Sequence, residues 1–161
     1  MDTQIVIVAA SLISSICSVV AIIVAIRTFL TNKKRHKIQT TIEAYKEIYN
    51  DSYLIEMVIY DNNGPLQPDI IYANKKLKNS VVRYLDSIEY FSVGINVKLF
   101  DIEIFDRLSG NDMIDIYYKL KPYIDDQRKL YSFAYKDFEN MVEKLREVHN
   151  NRIGLLQIYD K

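Results

Sequence analysis

Residues Ile5 to Ile26, IVIVAASLISSICSVVAIIVAI, form a run without a single charge, and a basic cluster, Lys33-Lys34-Arg35-His36-Lys37, follows it. As a helix rising 1.5 Å per residue the run is roughly 33 Å long, enough to cross one hydrocarbon core. A cleaved signal peptide has a basic start, a shorter apolar core and a small-x-small site. Here the chain starts Met1-Asp2-Thr3-Gln4, and Arg27 follows the run directly. The expectation is an uncleaved anchor. Cations next to a span favour the cytoplasmic side. That places the N-terminus outside and the C-terminal domain in the cytoplasm, single-pass in the inner (cytoplasmic) membrane.

The overall charge hides a segregation. Residues 1–37 hold five Lys and Arg against Asp2, a net of +4, and the remaining 16 basic and 20 acidic residues give −4. A mildly acidic domain makes a poor partner for duplex nucleic acid, which selects basic surfaces. A small anionic ligand in a local basic pocket stays open. The single cysteine, Cys17, lies inside the apolar run, so no intramolecular disulfide can form. The 13 tyrosines read as compositional bias, with base-stacking platforms as the sharper alternative.

Within the apolar run, Ser11, Ser14, Ser18, Ala21 and Ala25 alternate in steps of three and four. That spacing is the seam of a left-handed helix pair, and small residues let two backbones approach. The expectation is a homo-oligomer packed through this stripe within the lipid bilayer. The alternative is that each serine bonds its own i−4 carbonyl and faces lipid. Lys33, Lys34, Arg35 and Lys37 are expected at the membrane surface, as a topology signal or in contact with anionic head groups.

After the cluster, Ile38, Ile42, Tyr45, Ile48, Ile55, Val58 and Ile59 recur at helical spacing, with no proline or glycine between them and the span. One long helix is expected, with Thr31-Asn32 as the candidate break. It ends near Tyr60, because Asp61-Asn62-Asn63-Gly64-Pro65 is a turn signal and Pro68 prolongs the loop. The next helix is predicted from Ile70 to Ile95, with Leu77, Val81, Tyr84, Leu85, Ile88, Phe91 and Ile95 inward. Asp101 caps a short helix, Ile102 to Leu108, that Ser109-Gly110 stops. A further helix carries Met113, Ile116, Tyr117 and Leu120 and is kinked or restarted at Pro122. The last holds Phe138, Met141, Val142 and Leu145, frays at His149-Asn150-Asn151 and leaves an apolar tail from Ile153 to Tyr159. No stretch alternates with period two. The fold class is all-α: an N-terminal transmembrane helix followed by a cytoplasmic bundle of four to five helices. The organisation is an anchor over 1–30 with its span at about 5–26, a basic juxtamembrane segment and amphipathic helix over 31–60, a loop over 61–72 and a helical domain over 73–161.

Signatures of chemistry are scarce. His36 and His149 have no ligand partner at helical spacing, the domain has no cysteine, and there is no nucleophile elbow, P-loop or dinucleotide fingerprint. No metal, cofactor or catalytic residue is expected, and no enzyme. One carboxylate stands out. Glu89 borders the apolar face of its helix, and a half-buried carboxylate needs a cation or several donors. Arg83, Arg107 and Arg128 are the partners by type. Glu89, Arg107 and Arg128 are also the candidates for contact with a ligand or partner.

The stretch Tyr84-Leu-Asp-Ser-Ile-Glu-Tyr-Phe-Ser-Val-Gly-Ile-Asn-Val-Lys-Leu-Phe-Asp101 is followed by Tyr117-Tyr-Lys-Leu-Lys-Pro-Tyr-Ile124, by Arg128 and by an aromatic-rich helix from Tyr131 to Leu145. With the N-terminal span, this pattern resembles a bacterial family, domain of unknown function 4760. The resemblance covers most of the chain beyond the span. It implies a single-span membrane protein, host- or prophage-encoded, in which Glu89, Pro122 and Arg128 matter. It implies no particular activity. The expected function is a membrane-anchored, oligomerising helical protein of bacterial signalling or anti-phage defence, whose cytoplasmic domain senses a ligand or a protein partner. The alternatives are a passive anchor or scaffold recruiting a cytoplasmic partner, and a prophage exclusion protein.

Overall fold

A helix runs without interruption most readily where no proline removes an N–H and no glycine loosens the backbone, and the first 61 residues contain neither. In the computed structural model, helix α1 accordingly runs over Asp2–Asp61, straight through Thr31-Asn32. The structure describes residues 2–61 and 64–159, and the side chains of 14–49, 59 and 64–153. Four more helices follow: α2 (Pro68–Ala73), α3 (Lys75–Asn96), α4 (Ile102–Arg128) and α5 (Lys136–Tyr159). Among the described residues there are no strands, so the chain is all-α as its periodicity predicts. It divides into two compact units, Met1–Lys37 and Ile38–Lys161.

In the first unit every described side chain from Ser14 to His36 is exposed. By length and composition this part of α1 is apolar enough to cross a membrane. Ser18 donates its hydroxyl to the Ser14 carbonyl at 2.9 Å, the i−4 bond that satisfies a serine on its own helix. Ser14, Ser18, Ala21 and Ala25 are exposed, and the side chain of Ser11 lies outside the described residues.

In the second unit the predicted inward faces meet. Val81, Tyr84, Leu85, Ile88 and Phe91 of α3 are buried, with Met113, Ile116 and Leu120 of α4 and Phe138, Met141, Val142 and Leu145 of α5. The Ile38–Asp61 part of α1 joins this core through Thr41, Ile48 and Ile59, and the Tyr45 ring packs edge-on against Phe105 at 5.6 Å. The Asp101 N–H donates to Thr41 Oγ1 at 2.8 Å, and Lys119 Nζ donates to the Ile59 carbonyl at 3.2 Å.

Four boundaries differ from those the sequence predicts. The helix expected over Ile70–Ile95 is two helices, because the Asn74 side chain accepts the N–H groups of Lys76 and Leu77 at 3.0 and 3.1 Å and so starts a new one. Pro68 does not extend the loop but opens α2, a first-turn position that needs no N–H. Pro122 does not restart the helix, and α4 runs through it to Arg128. The non-helical backbone within α4 falls at Ser109 (φ −158°, ψ 21°), where the sequence predicts the stop of a short helix, although α4 continues beyond it. Gly110 follows it, and a Cβ there would collide with the Asp106 carboxylate. Asp101 caps α4 as predicted, accepting from Glu103 and Ile104 N–H. At the other end, α5 does not fray at His149-Asn150-Asn151. It continues helically to Tyr159.

The end of α3 has a Schellman geometry: Leu99 N–H bonds the Gly94 carbonyl at 2.8 Å and Lys98 N–H bonds that of Ile95 at 3.0 Å. The left-handed position falls on Lys98, φ 64°, where glycine is the usual residue. Lys98→Gly is therefore expected to raise stability by about 0.5–1 kcal/mol, the relieved Cβ strain being offset in part by a freer unfolded chain. Gly94 lies against the Phe100 ring with no room for a methyl group, so Gly94→Ala is expected to lower stability by about 1–3 kcal/mol. Denaturant-induced loss of helical circular dichroism, on the full chain in micelles, measures both.

Candidate functional site

A helix begins with backbone N–H groups that have no carbonyl to bond. Helix α5 begins after Tyr135, a residue with no short oxygen to cap them and with φ 55°. The missing acceptor comes from α3. Glu89 Oε1 accepts the N–H of Asp137 at 3.0 Å, and Oε2 accepts that of Phe138 at 2.7 Å. These are the second and third residues of α5, the N–H groups that a helix's own capping residue normally satisfies. The half-buried carboxylate is thus held by two backbone donors and not, as expected from the sequence, by an arginine at contact. Burial pushes its pKa up, and the two N–H groups and the charge of Arg128 pull the other way.

Arg128 closes the same junction from α4. Its Nε donates to the Ala134 carbonyl at 2.9 Å, Nη2 to that of Tyr135 at 3.1 Å, and Nη1 to Glu139 Oε1 at 3.2 Å. Glu139 also accepts the Tyr117 hydroxyl at 2.9 Å and pairs with Lys136. These partners hold the Glu139 carboxyl down to about 2, with Lys136 the largest contribution. Burial, with Glu139 second, pushes the Tyr117 hydroxyl up. Asn96, near the end of α3, adds bonds to the Asp137 carbonyl and side chain at 3.0 and 2.7 Å. So Glu89 and Arg128, one of the three arginines the sequence offers as its partner, meet at one junction of α3, α4 and α5.

The turn that this junction holds, residues 129–135, presents large apolar side chains to solvent. Leu130 is 76% exposed, Tyr131 70% and Phe133 83%. Such a cluster is uncommon on a surface that binds nothing.

A groove of about 850 Å³ lies between α1 and α3. Ala44, Glu47 and Ile48 form the α1 wall, and Lys78, Val82, Arg83, Asp86 and Tyr90 line the α3 side. Phe91 and Phe100, stacked at 5.0 Å, complete it. The volume and the mix of apolar wall with a few charges suit a ligand or an inserted side-chain cluster.

Arg107 lies elsewhere, at a smaller cavity of about 260 Å³ with Glu103, Asp106, Val148, Asn151 and Arg152. Asp106 is buried there between two helical partners from α5. His149 Nδ1 is 2.8 Å from Oδ1, and Arg152 Nε is 2.7 Å from Oδ2 but poorly directed for a hydrogen bond. Sequence reasoning missed this triad, since Asp106 lies 43 residues before His149 and further still before Arg152. The only local signal is the spacing of His149 and Arg152, three residues apart on one helix face. Among the described residues no group of His, Cys, Asp and Glu has the arrangement of a metal site.

With this geometry in view, the comparison with known families is decisive for kinship. The family model called Domain of unknown function (DUF4760) matches residues 15–151. The chain belongs to this family. No curated protein and no solved structure matches it. The DUF4760 match starts inside the apolar stretch and ends after His149, so it takes in the greater part of the candidate span, the groove, the Glu89–Arg128 junction and the exposed turn.

The junction sets two expectations. Glu89→Ala removes the acceptor of two N–H groups and is expected to cost about 1–2 kcal/mol. Glu139, lowered from 4.5 to about 2, contributes stability that is present above pH 4.5 and lost as pH falls towards 2. Glu89, raised, works in the opposite sense: its contribution is largest below the ordinary carboxylate value and declines as pH rises through the raised one. Denaturant titrations from pH 6 to about pH 2 are expected to show a shallower acid loss in Glu139→Gln than in wild type.

Proposed function

We propose that this DUF4760 protein is a membrane-anchored signalling protein of bacteria, in the manner of an anti-phage defence effector. Its cytoplasmic bundle would take a ligand or protein partner in the α1–α3 groove, and occupancy would change the state of the span. One observation carries this reading: α1 supplies both the apolar stretch and, at Ala44, Glu47 and Ile48, a wall of the groove. A ligand seated there touches the helix that carries the anchor. A change in population then needs only different affinity for two arrangements of that helix. The anchor lies in the inner membrane with the bundle in the cytoplasm, the orientation that Lys33, Lys34, Arg35 and Lys37 favour. The copies associate, and Ser14, Ser18, Ala21 and Ala25 form the stripe at which spans approach. The proposed role is binding rather than catalysis.

Two measurements test this. A reporter active only in the periplasm, fused after Lys161, is expected to stay inactive, and activity would refute the orientation. Strong expression is expected to depolarise the host membrane, read with a potential-sensitive dye, and Val82→Glu in the groove is expected to abolish the effect. An unchanged potential with wild-type protein would instead mark a passive scaffold.

A further inference from the structure

The exposed turn and the groove are each incomplete alone. Residues Leu130, Tyr131 and Phe133 stand out from a turn whose backbone is fixed: Leu130 and Tyr131 N–H both bond the Gln127 carbonyl, Ala134 N–H bonds Tyr131, and Arg128 grips the far side. A fixed backbone with protruding aromatic and aliphatic side chains is a preorganised recognition element, since little freedom is lost when it is buried. The groove offers the opposite shape, with Val82 and Phe100 partly exposed in its wall over the buried Ile48 and Phe91.

The two features are neighbours on one molecule. Asp86 lines the groove, and the hydroxyl of Tyr135, at the end of the turn, lies 3.5 Å from its carboxylate. A protruding element beside a complementary cleft is the arrangement that a two-fold axis uses: each copy gives its protrusion and receives the other's. We infer that the groove is filled by the Leu130–Phe133 turn of a second copy of this chain, in a reciprocal two-fold contact. This names the partner of the groove and rests on the reading of the groove as the binding site.

Charge accommodates the contact at its rim. Lys129 and Lys136 flank the turn and are well exposed, although each also meets a carboxylate of its own chain, Asp126 and Glu139. The groove carries two anions, Glu47 and Asp86, and two cations, Arg83 and Lys78, the latter turned onto the Tyr72 ring at 5.3 Å, so Glu47 and Asp86 are the groups there that an incoming lysine would meet favourably. Rim charges of this kind steer approach and register, and the apolar side chains supply the affinity. Chains held in one membrane also meet at high effective concentration, so a contact modest in free solution suffices.

The test uses the full chain in native membranes, in a Cys17→Ser background. One tagged copy carries Phe133→Cys and a differently tagged copy carries Asn79→Cys in the groove, and a short bis-maleimide is added. The expected result is a mixed-tag dimer several-fold more abundant than that from Phe133→Cys paired with Glu143→Cys on the outer face of α5. Adding Leu130→Asp to the Phe133→Cys copy should reduce it to the control level. Mixed dimer no greater than the control, with both cysteines open to a mono-maleimide, overturns the proposal. The depolarisation assay separates this from failure of the groove itself. Loss of depolarisation in both Val82→Glu and Phe133→Asp supports the second copy. Loss in Val82→Glu alone keeps the groove as a site but overturns the turn as its occupant. Loss in neither overturns both.

Discussion

Two hydrogen bonds from the start of α5 to a carboxylate on α3 hold the domain's organisation together. The N–H groups of Asp137 and Phe138 are orphans of helix geometry, and leaving a buried donor unpaired costs about 1–3 kcal/mol each. Glu89 satisfies both, so α5 can begin only where α3 presents that side chain. The consequence reaches the turn before α5. With its end pinned to α3 and its start gripped by Arg128, residues 129–135 have no freedom to fold their apolar side chains inward. Tyr135 accepts a left-handed backbone there, strain of roughly 1–2 kcal/mol that the surrounding bonds must outweigh.

The groove has a different origin. Among the described residues, the Ile38–Asp61 part of α1 meets α4 and its cap through Thr41 to Asp101, Tyr45 to Phe105 and Ile59 to Lys119. These contacts follow α1 and α4 in the same direction and leave the α3 side open. Phe91 packs on both Phe100 and Phe105, so it joins the floor of the groove to the contact between α1 and α4. Filling the groove therefore bears on α1 through side chains already in contact. The proposed sensing role would use this link, with recognition on the helix that also carries the apolar stretch.

Much of this was legible in the sequence, and the losses have specific causes. Helical periodicity located the core faces of α3, α4 and α5, because burial acts on whole stripes of residues such as Val81, Leu85 and Ile88. The Asp101 cap was legible because a cap is a local interaction. The break at Asn74 was not recognised, although Asn is a capping residue, since the apolar pattern continues across it. Pro122 was over-read: a proline costs a helix one N–H and a clash, and tertiary packing around Tyr123 and Ile124, both buried, maintains the helix beyond it. The partners of Glu89 were hidden for a deeper reason. They are backbone groups, which every residue owns, so no residue type marks them. The Asp106–His149–Arg152 cluster was hidden by separation along the chain, and Arg107, chosen by charge alone, lies with that cluster and not with Glu89.

The turn before α5 rests on the interhelical cap. Amide hydrogen exchange resolved by residue addresses it most directly, because first-turn amides of a helix ordinarily exchange fast unless a side chain takes the hydrogen bond. In the full-length wild-type protein, Asp137 and Phe138 N–H are predicted to be protected to the level of the α3 core, and Glu89→Gln to lose much of that protection while Leu85 and Ile88 keep theirs. Fast exchange at Asp137 and Phe138 in the wild-type protein would contradict the account.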